Sequence, residues 1–376
     1  MRAFVFTDES LARRAGQFVW LEIDTEKPGN AAFRKQFPIP ALPTFLIVRP
    51  EDEQVLLRWT GGATLEQLGR ILDQGRLAYR SGGATDTTLT RADRLYGRGD
   101  FAAAAQAYRE AIAKAPADWP PYGRAVESLL FALQSSDGND DCLRIAEEAL
   151  PRLGRTTSAA SVAGSGLGCA LELPADRAGR AERIARFDEA VRSFVRDRSI
   201  SMAGDDRSGY YGLLYDARQD AKDEAGAKDV AREWAKCLED EAGRAKTPEQ
   251  RAAYDSHRLN VYLELGEPAR AIPMLQASER DMPDDYNPPA RLAIAYQAMK
   301  DWKSALAASD RALAKAYGPR KIRILRTRAD LYAASGDSTA SRRTLEETLQ
   351  YAESLPEGQR PTSTIAQLKQ QLASQR

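Results

Sequence analysis

The chain has 376 residues, enough for two or three domains, and its 54 basic residues are balanced by 54 acidic ones. Without a net field to draw in nucleic acid or an anionic bilayer, a global electrostatic binder is excluded, and neither partner is expected. At 43% apolar and 29% charged residues the chain reads as globular, and no apolar run approaches the ~20 residues that span a bilayer. The lone histidine, His257, excludes sites that need two. Cys142, Cys169 and Cys237 lie more than twenty residues apart, so they form neither a Cys-x-x-Cys pair nor a Cys₄ zinc site, and no cofactor or metal is expected.

Ala3-Phe4-Val5-Phe6 is too short for a secretory signal and is followed at once by Asp8 and Glu9, so the chain as written reads as cytoplasmic. An upstream start with a signal peptide would make it periplasmic. Phe18-Val19-Trp20-Leu21-Glu22-Ile23-Asp24 is aromatic and β-branched and predicts a buried strand, ending in a polar turn over 25–29. Pro28 suits a first helical turn, and residues 31–37 predict a short helix stopped by Pro38 and Pro40. Residues 44–48 and 55–59 predict a hairpin through the polar turn 49–54, closed by Gly61-Gly62. Thr64 with Gln67 has capping-box spacing ahead of a helix whose apolar stripe is Leu65, Leu68, Ile71 and Leu72.

This order, with Leu42-Pro43-Thr44 opening the third element, resembles the C-terminal three-quarters of a thioredoxin-like domain over roughly residues 1–75. Ile23-Asp24 together with Leu42-Pro43-Thr44 is the most specific part of the match. The resemblance implies that the bond before Pro43 is cis and that Leu42, Pro43 and Thr44 form a loop contacting substrate. It also implies a Cys-x-x-Cys and a central strand just before Met1, and neither is in this sequence. Two strand edges would then lack a partner. Two accounts stand: a start at an internal methionine of a longer chain that carries strand and dithiol, or a degenerate fold in which residues 2–6 substitute as a strand. By resemblance, those residues are instead the end of a helix.

Residues 81–87 predict a flexible linker, after which strand signals vanish and alanine-rich helical periodicity takes over. Gly99-Asp100, Gly266-Glu267, Lys300-Asp301 and Gly336-Asp337 head second helices, with Ala104, Ala271, Ala305 and Ser341 following each turn in register and Ala111, Ser278, Ala312 and Thr348 seven residues on. Tyr262, Tyr296 and Tyr332 precede three turns by four residues, and the step from Gly266 to Lys300 is 34 residues. These residues look like tetratricopeptide (TPR) repeats. Residues 120–150 predict a further pair with a long 135–140 loop, and another is expected to turn at Gly226. About six pairs in a right-handed superhelix are expected. The run Gly164-Ser165-Gly166-Leu167-Gly168 follows no strand and lacks a Gly-Lys-Ser/Thr, so it reads as close helix packing rather than a phosphate loop.

No constellation for catalysis emerges. His257 has no nucleophile signature near it, the three cysteines read as buried thiols in alanine-rich helices, and Asp205-Asp206 and Asp284-Asp285 read as solvated turn residues. The remaining surface is the groove lined by the first helix of each pair. Relatives of the repeat family grip a peptide carboxylate there with lysine, arginine and asparagine; by that resemblance Asn260 and Arg323 fall in suitable places with Arg291 and Arg326 near them, while Ser256 and Thr327 leave the clamp incomplete.

The expected fold class is α/β, an incomplete thioredoxin-like sheet over 1–80, followed after the 81–87 linker by an all-α TPR superhelix over 88–355 and a C-terminal helix or tail over 356–376. The expected function is a protein-protein interaction module carrying a redox-inactive thioredoxin-like domain, its partner a protein or peptide in the TPR groove. The alternatives are a thiol-disulfide oxidoreductase whose Cys-x-x-Cys lies upstream of Met1, and a purely structural scaffold.

Overall fold

A computed structural model describes residues 4–39, 42–80 and 88–374; the expected 81–87 linker lies outside them, as do Arg2 and Ala3 of the substitute strand. The chain divides into two compact units, one of Met1–Glu9 with Pro38–Trp234, the other of Ser10–Phe37 with Ala235–Arg376. Residues 1–80 therefore do not gather into one body: a segment from their middle packs with the C-terminal helices.

That segment departs from its pattern. Residues 4–7 are turns, Glu9–Arg14 is a 3₁₀ stretch, and Phe18 to Asp24 form no strand, with Val19 89% and Leu21 77% exposed. β propensity does not hold a strand by itself, because its N–H and C=O groups need a neighbouring strand, and none is supplied there among the described residues. Helix α1 (Ala31–Gln36) forms as predicted and stops ahead of Pro38.

In the first unit, β1 (Thr44–Val48) and β2 (Val55–Thr60) pair antiparallel, with Thr44 opposite Thr60 and Ile47 opposite Leu57. Among the described residues this two-stranded sheet is all the sheet there is, so the larger thioredoxin-like sheet is not seen. Helix α2 (Leu65–Arg80) opens with the predicted capping box: Gln67 N donates to Thr64 Oγ1 at 3.2 Å and Thr64 N to Gln67 Oε1 at 2.8 Å. Strand alternation sends Leu57 and Trp59 to one face, where they pack with Ile71 of α2. It sends Arg58 to the other, against Gly97 of α3 (Thr88–Gly97), where a Cβ would press on the guanidinium. The hairpin is thus built onto the first helices. Beyond it run α4 (Phe101–Lys114), α5 (Tyr122–Gln134), α6 (Asn139–Leu153), α7 (Thr157–Leu171), α8 (Arg180–Arg196), α9 (Gly204–Asp220) and α10 (Glu224–Arg244), inside which the unit ends.

The second unit continues with the short α11 (Pro248–Ala252), α12 (Asp255–Glu264), α13 (Ala271–Asp281), α14 (Asn287–Ala298), α15 (Trp302–Lys315), α16 (Gly318–Ala334), α17 (Ser338–Ser354) and α18 (Thr362–Ser374). Consecutive helices pack as pairs, α12 on α13, α14 on α15 and α16 on α17.

One turn recurs in both units. Gly99, Asp137, Lys222, Gly266, Lys300 and Gly336 all have positive φ, and the N–H after each reaches the carbonyl five residues back, as in Asp301 N to Tyr296 O at 3.0 Å and Asp337 N to Tyr332 O at 2.9 Å. This closes the first helix and aims the chain at the next. Asp100, Asp301 and Asp337 then cap the second helix through their side chains. Two of the turns correct expectation: the pair expected to turn at Gly226 turns at Lys222, and the 135–140 loop closes tightly at Asp137. Neither residue is a glycine, so neither announced a left-handed position.

Small residues set the helix spacing. Ala104, Ala271 and Ala305 are wholly buried and Ser341 nearly so. On α7, a Cβ at Gly164 would meet the Tyr210 ring and one at Gly166 the Phe187 ring, so this run admits aromatic faces to the helix backbone. The reading of three buried thiols needs correction: Cys142 of α6 and Cys169 of α7 form a disulfide with Cα atoms 6.4 Å apart, while Cys237 is a buried thiol. The packing of α6 on α7 brings the pair together, which their spacing of 27 hides.

Candidate functional site

The predicted groove residues all lie on first helices of the C-terminal unit. Asn260 is exposed on α12, Arg291 is half-buried on α14, and Arg323 and Arg326 are exposed on α16, three residues apart on one face. Burial holds the Arg291 guanidinium below its usual range; Asp255 and Asp285 pull it back up, while Arg323 and Arg320 push it further down. The structure therefore brings Arg291, Arg320 and Arg323 into one another's field. Arg326 acts on Asp330, one turn along α16, whose carboxyl burial pushes up. Asp255, the carboxylate facing Arg291, is fully buried, and burial pushes it up against the pull of the Ser278 hydroxyl and Arg291.

Beside this cluster lie residues that sequence reasoning missed. Arg320 Nε donates to Glu26 Oε1 at 3.0 Å, and Tyr286 Oη reaches Glu26 Oε2 at 3.5 Å. Tyr317 Oη donates to Asp24 Oδ2 at 2.7 Å. The Gln359 carboxamide, 3% exposed, donates to two backbone carbonyls, Thr25 O at 2.9 Å and Lys27 O at 2.8 Å. Gly318, at φ 59°, lets the Glu26 carbonyl approach so closely that a Cβ there would overlap it. Asn30 Nδ2 folds the segment by donating to Asp24 O at 2.7 Å. The phenols answer to these carboxylates: Tyr317 is pushed up to about 12 by its bond to Asp24 and by burial, and Tyr286 to about 12 by burial and by Glu26. Residues 24–30 are thus held by main chain and by charge. No local signal marked this, since Glu26 and Arg320 are 294 positions apart.

In the first unit the Leu42–Pro43 peptide bond is cis. Leu42 is 61% exposed, Pro43 O accepts from Gly61 N at 2.8 Å, and Thr44 begins β1, so the loop helps to close the hairpin. The first 80 residues contain no cysteine for it to lie against.

Deeper in this unit, Arg124 Nη1 donates to Asp93 at 3.0 Å and to Arg58 O at 3.2 Å, and Tyr108 Oη donates to Asp93 at 2.7 Å. This buried network ties β2, α3, α4 and α5 together. A cleft of about 360 Å³ lies between α5, α7 and α9, lined by Gln134, Ser161, Gly164, Asp205, Asp206 and Tyr210 among others. Asp206 is not the solvated turn residue that its neighbours suggested: burial, then Asp205 and Glu127, push its carboxyl up to about 7. His257 is half-buried on α12. Among the described residues no group of three or more His, Cys, Asp or Glu could hold a metal ion, and no helix is long and apolar enough to cross a membrane.

No protein-family model and no curated protein matches the chain. Among solved structures it is similar to a tetratricopeptide repeat protein from Parabacteroides merdae, with 13% identity over 75% of this chain and 95% of that one, at a TM-score of 0.46. It is also similar to the Cut9–Hcn1 hetero-tetramer of the APC/C, with 14% identity over 83% of this chain and 54% of that one at a TM-score of 0.36. A third likeness is to the TPR2AB domain of yeast Sti1 in its complex with pHSP90, with 12% identity over 78% and 99% at a TM-score of 0.29.

Proposed function

We propose that the chain is a protein-binding helical-repeat module of TPR type, whose C-terminal unit takes an acidic peptide segment at Arg291, Arg323 and Arg326, with Asn260 at the edge of the groove. The observation that carries this reading is that Arg323 and Arg326 are exposed three residues apart on one face of α16, with Arg323 in the field of the half-buried Arg291. Glu26 answers Arg320, and Asp255 and Asp285 face Arg291, while arginine forks such as those of Arg323 and Arg326 bind an incoming carboxylate with directed, charge-assisted bonds. In this reading Leu42, Pro43 and Thr44 belong to a thioredoxin-like part, and residues 1–80 hold no cysteine for redox chemistry at that loop. The disulfide between Cys142 and Cys169 favours an oxidising compartment over the cytoplasm.

The test is fluorescence anisotropy with labelled peptides carrying two or more carboxylates, against neutral peptides of equal length. Arg323→Ala with Arg326→Ala should weaken binding of the best acidic peptide at least tenfold. Equal affinity for acidic and neutral peptides, or for wild type and variant, overturns the reading.

A further inference from the structure

The contacts that hold residues 24–30 are those by which a surface recognises a peptide. A buried glutamine reads two main-chain carbonyls, an arginine and two phenols read two carboxylates, and a glycine admits the backbone. The segment brings little structure of its own: residues 18–24 upstream form neither helix nor strand, and only the six-residue α1 follows after a 3₁₀ turn. Exchanging it for another segment would melt no long element of the C-terminal helices. Its two carboxylates, Asp24 and Glu26, flank Thr25, and both are answered on α16 or its N-terminal boundary, by Tyr317 and Arg320.

We propose that the surface formed by Tyr286, Tyr317, Arg320 and Gln359 is a docking site for an acidic turn of the form Asp-x-Glu, filled at rest by the chain's own Asp24-Thr25-Glu26 and opened to a partner's segment of the same chemistry by displacement. This rests on the interaction-module reading above and names both its ligand and its control. A tethered segment competes at an effective concentration set by its linker, so the apparent affinity of a free ligand is reduced by the fraction of molecules in which the site stands open. The occupant is acidic because the donors that meet its side chains are a guanidinium and two hydroxyls. It is a turned segment, because Gln359 reads the carbonyls of Thr25 and Lys27, two residues apart, and Lys27 O also closes the turn by accepting from Asn30 N at 2.9 Å.

The experiment uses the full chain and a fluorescein-labelled synthetic peptide of residues 20–32 as the probe. The Asp24→Ala/Glu26→Ala variant should bind it at least tenfold more tightly than wild type. Adding Arg320→Ala should remove that gain, and a scrambled peptide of the same composition should not bind. Equal probe affinity in wild type and the double variant, or a gain that survives Arg320→Ala, overturns the inference. If the double variant loses its helical circular dichroism, Glu26→Gln carries the same test with charge removed and volume kept. Probe binding that is lost on Arg320→Ala and kept in Arg323→Ala/Arg326→Ala supports exchange at this surface. Binding lost only in the latter assigns the probe to the groove, which overturns the exchange and leaves the interaction-module reading standing.

Discussion

Cys142 and Cys169 are joined between α6 and α7 with neither cysteine exposed to solvent. A cross-link that closes a loop of 27 residues removes unfolded-state freedom worth about 3–4 kcal/mol in the chain-entropy model. The Cys142→Ala/Cys169→Ala variant should lose about that much unfolding free energy in urea. Thiol titration of the denatured wild type should find one reactive thiol, Cys237, before reduction and three after. Three thiols before reduction would falsify the pairing.

Asp206 predicts a pH dependence of opposite sign to an ordinary ion-paired carboxylate. Its folded pKa, about 7, lies above the ordinary aspartate value of 3.8, so the native state holds the proton more tightly than the unfolded one. Its contribution to stability is fully present below about pH 4 and is lost as pH rises through about 7. Asp206→Asn should therefore stabilise the first unit by about 1–3 kcal/mol at pH 8 and change little at pH 4. Thermal unfolding at the two pH values checks this; an equal shift at both removes burial of the charge as the cause.

Lys300 occupies, at φ 58°, the left-handed turn position that Gly266 and Gly336 occupy in the neighbouring pairs. A side chain there costs about 1 kcal/mol, partly offset by the greater freedom that glycine brings to the unfolded chain. Lys300→Gly should raise stability by about 0.5–1 kcal/mol, while Gly336→Ala should lower it by about 1 kcal/mol or more. Chemical denaturation reads both, and a destabilising Lys300→Gly would contradict the turn geometry.

The Glu26–Arg320 pair is partly buried, with side chains 16% and 36% exposed. A double-mutant cycle with Glu26→Ala and Arg320→Ala should return a coupling of about 1 kcal/mol, shrinking as salt is raised. Zero coupling at low salt would mean that residues 24–30 are held by Gln359 and Gly318 alone.

The sequence by itself determined what is settled within a few residues. The Thr64–Gln67 capping box, the short α1 and the turns at Gly99, Gly266 and Gly336 depend on backbone preference and hydrogen bonds that close within about five positions, and their residues announce them; two strand-like runs joined by a short polar turn announce the hairpin of β1 on β2, and the 34-residue step from Gly266 announces the turn at Lys300. The turns at Asp137 and Lys222 obey the same geometry, yet their residue types carry no such signal. Only the tertiary structure decided the rest. Phe18 to Asp24 has every propensity for a strand and forms none, because a strand exists only with a neighbour to pair its backbone. Whether Cys142 meets Cys169, whether Asp206 is desolvated and whether Glu26 finds Arg320 depend on which helix lies against which, and residues 27 or 294 positions apart leave no local trace of that. The repeat pattern dictated the helix pairs; their packing supplied the pocket, the cross-link and the surface that holds the chain's own acidic turn.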